Sequence, residues 1–254
     1  MELGQYGLRE VMYTQVINLE NSTPLIYLDF VNSVSLQNGA DTVYATGGRG
    51  GPRVLTFNGA KTATLTISSQ IFTLSSIAVM TGSEIIKGQT DIYEVENGQV
   101  KNVAGDLIIT LGKTPSDVLP AVFKFVNGVI TTPVGVLGVN GNEIELDPLT
   151  VSAGEEVQVF YQWQTTNDTY TIQVDAGKFP PYTKLVVEAF FTDRFANKVV
   201  DGQFNIFKAK AQPTFTLSGA NSGDPTTIEM VFDILSTQLP DGRQAMYDLT
   251  IYDN

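Results

Sequence analysis

The residues able to do chemistry in this chain are few, and the missing ones decide more than those present. Its 254 residues include no histidine and no cysteine. That removes Ser-His-Asp and Cys-His nucleophiles, His- or Cys-held zinc and iron, and every disulfide. It also removes the side chain that titrates near neutrality and serves most often as a general base. Carboxylates remain. Glu143, Glu145 and Asp147 alternate along one stretch, with Glu155 and Glu156 close by. Such a set suits a glycosidase acid–base pair or a Ca²⁺ ion, but the same alternation describes a solvated strand face. The solvated face is the simpler reading, so no catalytic residue, metal or cofactor is expected.

Three other stretches invite a functional reading. Thr46, Gly47, Gly48, Arg49, Gly50, Gly51, Pro52 and Arg53 form a glycine-rich run. Backbone N–H groups of such a run suit a phosphate cradle, but a dinucleotide loop opens a helix, and here a proline and another strand follow. A loop between strands that serves a partner subunit is expected instead. Gly112, Lys113 and Thr114 resemble the end of a P-loop, but the first glycine of that motif falls on Leu107, so the match is coincidental. Phe160, Tyr161 and Trp163 share a strand, with Phe160 facing opposite to the other two. Exposed, they would make a sugar-stacking platform; packed, they are ordinary sheet aromatics.

These residues sit in a chain that is 43% hydrophobic and 17% charged, with net charge −12. It has enough apolar content for a core. The negative charge argues against gripping a nucleic-acid backbone or an anionic membrane, while permitting nucleic acid to pass without sticking. There is no run of about 18 apolar residues for a membrane span. The opening MELGQYGLREVMY lacks the basic-then-apolar layout of a signal peptide, so a protein used without secretion is expected.

The elements that must position everything are almost all strands. Residues 62–67 alternate with period two, and then Ile71, Leu74, Ile77 and Ala78 fall three or four apart. This predicts a strand running into one short helix over about 69–81, with Ser69 as N-cap and Gly82 ending it. Strands are expected at 10–17, 24–30, 31–36, 42–45, 54–57, 61–67, 91–95, 99–102, 106–111, 156–164, 170–174, 185–192, 202–207, 214–217, 226–234 and 246–252. Asn-Gly pairs at 38–39, 58–59, 97–98, 127–128 and 140–141 are read as tight turns. Residues 115–150, punctuated by Pro115, Pro120, Pro133 and Pro148, read as two small hairpins inserted into a domain made of 1–114 and 151–254. The expected class is all-β, a β-sandwich or barrel with one helix and an inserted small β subdomain.

The strand–helix unit at 62–82, closing on Met80-Thr81-Gly82, resembles the corresponding unit of bacteriophage tail tube proteins and related secretion-system tube proteins. The stretch 200–210 (VDGQFNIFKAK), then Phe215-Thr216-Leu217 and Ser222-Gly-Asp-Pro-Thr226 before a strand, is similar to the family's closing arrangement. Val157–Tyr161 and Phe190-Phe191-Thr192 fit the same pattern. The resemblance covers about 40–112 and 155–254 and leaves out 115–150.

That resemblance implies a β-sandwich flanked by one helix, in a structural virion protein rather than an enzyme. It implies hexameric rings that stack into a hollow tail tube through which DNA passes without specific binding. The implied partners are further copies of the chain and other tail proteins, sheath or tape measure. It implies no membrane partner and no cofactor, with assembly in the host cytoplasm. Thr46, Gly47, Gly48, Arg49, Gly50, Gly51 and Arg53 are then candidate subunit and inter-ring contacts. Another virion component (a capsid decoration protein or tail-tip adaptor) or a carbohydrate-binding module would share the acidic, all-β profile.

Overall fold

The computed structural model describes residues 4–116, 118–219 and 226–253, so most of the Ser222–Thr226 turn lies outside the described residues. The chain opens with β1 (Tyr6–Asn18), β2 (Pro24–Leu28), β3 (Ser33–Thr46), β4 (Arg53–Ser69), helix α1 (Leu74–Thr81) and β5 (Ile85–Gly88). It continues with β6 (Asp91–Gln99), β7 (Lys101–Val103), β8 (Asp106–Thr110), β9 (Ala121–Val126), β10 (Val129–Val134), β11 (Val136–Asn140) and β12 (Glu143–Leu146). Next come β13 (Glu156–Gln164), β14 (Thr169–Ile172), β15 (Tyr182–Asp193) and β16 (Val199–Ala211). β17 (Ile228–Ile234), β18 (Thr237–Gln238), β19 (Gln244–Ala245) and β20 (Tyr247–Tyr252) complete it. The fold is all-β with antiparallel sheets and one helix among the described residues.

Two compact units result: Met1–Ile85 with Ile172–Asn254, and Ile86–Thr171 between them. The second is wider than the 115–150 insertion read from the sequence. Prolines mark hairpins inside this unit, whereas its ends are marked only by β5 and β14, which pair with each other.

In the first unit, eight strands run in the order β2-β1-β15-β16-β17-β4-β3, with β20 also on β16. β16 is long enough to take two partners along one edge. Asp201–Ile206 pair with β20, and Ala209–Ala211 pair with β17. The sheet therefore divides at β16 into a branch β2-β1-β15-β16-β20 and a branch β17-β4-β3. One apolar cluster collects side chains from both: Val16, Leu28, Leu185, Val187 and Ile206 from the first, Leu65, Ile67, Met230 and Phe232 from the second, and Val79 and Met80 from α1. Each such side chain, taken from water, contributes roughly 1.5–3 kcal/mol.

The helix starts later than its periodicity predicts. Ser69 is the last residue of β4, still paired with Ile228, and its hydroxyl accepts from the Ile71 N–H at 3.1 Å. The N-cap is Thr73: its hydroxyl accepts from Ser76 N–H at 3.1 Å, and the Ser76 hydroxyl accepts from Thr73 N–H at 3.4 Å. Two Ser/Thr candidates compete in this stretch, and the ladder claims the first. Gly82 does end the helix, at φ 73°, with its N–H on Ala78 O at 2.8 Å.

The second unit is two four-stranded sheets, β10-β9-β13-β6 and β11-β12-β8-β7. Val122, Val157, Val159 and Tyr161 of one meet Leu107, Ile109, Ile144 and Leu146 of the other in a single buried cluster. That is a small β-sandwich.

Three of the five Asn-Gly pairs are not turns. Only 127–128 (φ 53° and 81°) and 140–141 (Gly141 φ 61°) turn the chain. Residues 38–39, 58–59 and 97–98 lie inside β3, β4 and β6. Their glycines serve close approach instead: a Cβ on Gly59 would meet Asp41 Cβ at 2.8 Å, and one on Gly98 would meet Ile109 Cδ1 at 2.9 Å. The expected strands at 31–36 and 42–45 are therefore one strand, as are 54–57 and 61–67, while residues 214–217 form none.

Gly82→Ala should be costly. Its left-handed backbone alone accounts for about 1–2 kcal/mol, and the new Cβ would collide with the Phe179 carbonyl oxygen. Denaturant unfolding should show a lowered midpoint; an unchanged one would mean the cap is dispensable.

Candidate functional site

Residues Thr46 to Arg53 sit at the tip of a long hairpin. β3 and β4 pair from Ser33/Ser68 out to Thr46/Arg53. Only the inner part, from Ala63 to Ser69, has β17 on its other side. Beyond it the hairpin is two strands alone, an arm on the order of 20 Å long at about 3.3 Å per residue. From 37 to 62 every residue is exposed except half-buried Ala45.

The tip is glycine-rich because the backbone requires it. Gly48, Gly50 and Gly51 have φ of 81°, 92° and 61°, where a side chain is strained. Gly47 N–H donates to Pro52 O at 3.1 Å and Gly51 N–H to Gly48 O at 3.2 Å, so two of the amides a phosphate would need are already engaged. At the base, Asn38 Nδ2 donates to the Tyr247 hydroxyl at 2.8 Å.

The arm has two unlike faces. Val43 pairs with Phe57 and Ala45 with Leu55, and these four form an apolar patch on one face. Val43, Leu55 and Phe57 are 62%, 60% and 56% exposed. On the other face, Tyr44 pairs with Thr56, and a register shift near Val54 brings the Arg53 guanidinium over the Tyr44 ring at 4.0 Å. The arm carries Arg49, Arg53 and Lys61 against a single carboxylate, Asp41. It is cationic in a chain of net charge −12.

A second surface is the outer face of the β2-β1-β15-β16-β20 branch. Leu185 and Val187 of β15 face the core, so Val186, Glu188 and Phe190 face away. Register sets Tyr13, Glu188, Gln203 and Thr250 in one row. The flanking rows are Glu10, Phe190, Asp201 and Tyr252, and Gln15, Val186, Asn205 and Asp248. Four carboxylates and two tyrosines thus share the face. Glu188 accepts from Gln203 Nε2 at 3.0 Å, and Asp248 from Asn205 Nδ2 at 3.1 Å. Farther along, Lys208 and Lys210 stand over the Tyr182 ring at 4.4 and 5.5 Å, so the negative character belongs to one end. A hydrogen bond to Glu188, then burial, push the Tyr13 hydroxyl up to about 12. Burial, then Glu188 and Asp201, raise Tyr252 as well.

A family model described as the YomU/Tube protein family matches residues 6–247. The chain belongs to that family. No curated protein matches it. The family match agrees with the tail-tube resemblance carried by the strand–helix unit, and it runs through 115–150, which that resemblance left out. The family's name points to a phage tube-type structural protein.

Within this tube-family chain the other sequence candidates do not converge. Glu143 and Glu145 are exposed on β12, and Asp147 turns the chain by accepting from Leu149 N–H at 2.9 Å. Among the described residues, no group of three or more carboxylates is placed to hold a metal ion. Gly112 N–H donates to Glu96 Oε2 at 2.9 Å, a carboxylate where a P-loop would hold phosphate. Tyr161 is buried and donates to Glu96, and burial, then that bond, hold its hydroxyl well above the usual range. Trp163 packs against the same core with Lys113 over its ring at 4.8 Å, so the two do not form an open stacking platform. Sequence reasoning missed the arm because its two Asn-Gly pairs looked like turns; along β4 the alternation Leu55, Phe57, then Ala63, Leu65 keeps one phase across Asn58-Gly59 and was the available signal.

Because the neutral Tyr13 hydroxyl is favoured, its contribution to stability is full below pH ~10 and disappears as pH rises through about 12. In an ultraviolet titration, Glu188→Gln should move Tyr13 down toward pH ~10 and lower Tyr252 as well. A curve identical to the parent's would remove Glu188 as the cause.

Proposed function

We propose that the protein assembles into hexameric rings that stack into the hollow tail tube of a phage, through which DNA passes without specific binding. The observation that carries this is the arm in a tube-family chain. A two-stranded hairpin with an apolar face is at best marginally stable in water and needs a covering surface. Further copies of the chain supply one. In this reading Thr46, Gly47, Gly48, Arg49, Gly50, Gly51 and Arg53 make the subunit and inter-ring contacts, with the two arginines meeting carboxylates of the next ring.

The sheet branch β2-β1-β15-β16-β20 suits the inner wall. It ends in two short strands, β2 and β20, each with an open edge. Pairing the β20 of one subunit with the β2 of its neighbour would close a continuous barrel and remove both edges. Glu10, Glu188, Asp201 and Asp248 would then face the lumen, where like charge keeps DNA sliding. Sheath or tape-measure proteins are the further partners, the site is the virion tail after assembly in the host cytoplasm, and no membrane is involved.

Electron microscopy of the concentrated purified protein tests this directly. Stacked hollow rings are expected; dispersed single subunits under all assembly conditions would refute the reading. Arg49→Glu with Arg53→Glu should leave the subunit's melting unchanged but weaken stacking, with greater salt sensitivity lost alongside. Normal stacking by that variant would free the tip of its assigned role.

A further inference from the structure

The arm's apolar face has a counterpart elsewhere on the same unit. Beside α1 lies a cavity of about 250 Å³ lined by Leu25, Ser75, Ala78, Val79, Ile85 and Pro181, among others. Its surroundings are apolar and open: Ile85 in the lining and Phe179, whose backbone packs on Gly82, are 37% and 67% exposed. Such a patch on a soluble unit marks a contact surface. At its rim, between Ser83 and Ile85, stands Glu84, whose carboxylate meets Lys178 Nζ at 3.1 Å. That exposed pair is worth little, so the carboxylate can take a second cation.

We propose that this α1 cavity is the receptor for the arm of a second copy of the chain, with Phe57 as the anchor seated in it. The inference rests on the self-assembly reading and adds where the arm lands. Size supports Phe57: it is the largest side chain on the apolar face, and the cavity has room for one aromatic ring. Leu55 and Val43 flank it and cover Ile85. Charge supports a second copy as occupant. The arm is a cationic segment of an acidic chain, and Arg49 at the tip of the docked arm would approach Glu84 at the rim. Among the described residues, none of the ion pairs of the subunit involves Arg49, Arg53 or Lys61. Repeated in one direction, an arm on one copy and a cavity on the next, the pairing is head-to-tail, a geometry that builds rings or filaments.

The absence of cysteine makes the test clean. A chain carrying Leu55→Cys and Ser75→Cys, assembled and then oxidised, should run as a ladder of covalent multimers on a non-reducing gel. Moving the arm cysteine to the opposite face, as Thr56→Cys with Ser75→Cys, should abolish the ladder. Phe57→Ala should raise the concentration for half-assembly by about tenfold or more, as loss of an aromatic hot spot does, with the melting of the dispersed subunit unchanged. Tubes that form but give no ladder, or give only intramolecular disulfides, would overturn the cavity as receptor and leave the tube reading intact. Protein that forms no rings or tubes in the microscope would remove the reading and the receptor together. Equal ladders from both arm faces would also overturn the proposal, since nothing would then orient the arm.

Discussion

A hairpin with nothing behind it is the constraint on which the rest of this structure turns. β3 and β4 satisfy each other's backbone groups, yet beyond Ala63 no third strand among the described residues pairs with them. Val43, Leu55 and Phe57 therefore expose apolar surface on an element whose isolated stability is marginal. The subunit is in this sense incomplete, and tube-family membership names the kind of assembly that would complete it. Cationic side chains along the arm and carboxylates over the remainder make copies of the chain attractive to one another at the arm, though the subunits repel through their net charge.

The body of the first unit is built to hold such an arm. Alternation along β4 changes character at Ala63: inward residues from there to Ser69 are buried, and those outward of it are exposed on both faces. The same strand is thus core at one end and arm at the other. Division of the sheet at β16 does similar work on the opposite side. One long strand supports both the branch that buries β4 and the branch whose outer face gathers Glu188, Asp201 and Asp248. Core, arm and acidic face are consequently tied through shared strands, and α1 seals the core beside the cavity.

Much of this was legible in the residues, and the failures have physical causes. β13 was readable to the residue, because each face of Glu156–Gln164 has one clear destiny. Gly82 was readable because few residues tolerate a left-handed cap. The helix start was not, since Ser69 and Thr73 are both competent caps and only the pairing of Ser69 with Ile228 decides between them. Asn-Gly misled at 38–39, 58–59 and 97–98: glycine is used both for positive φ and for close contact, and the dipeptide does not say which. The tip residues were identifiable as a loop, but their place at the end of an arm depends on non-local pairs such as Gly39 with Thr62. The acidic face was invisible, because Tyr13, Glu188, Asp201 and Asp248 meet only through the register of four strands.

Hydrogen exchange of the arm amides, compared between dispersed subunits and the assembled form, tests the central claim most directly. Residues 42–57 should exchange rapidly in the dispersed subunit, since a lone two-stranded arm opens readily. On assembly they should become protected to the level of the β4 segment within the core. Arm amides that stay fast in the assembled form, or that are already protected in the dispersed subunit, would contradict the account.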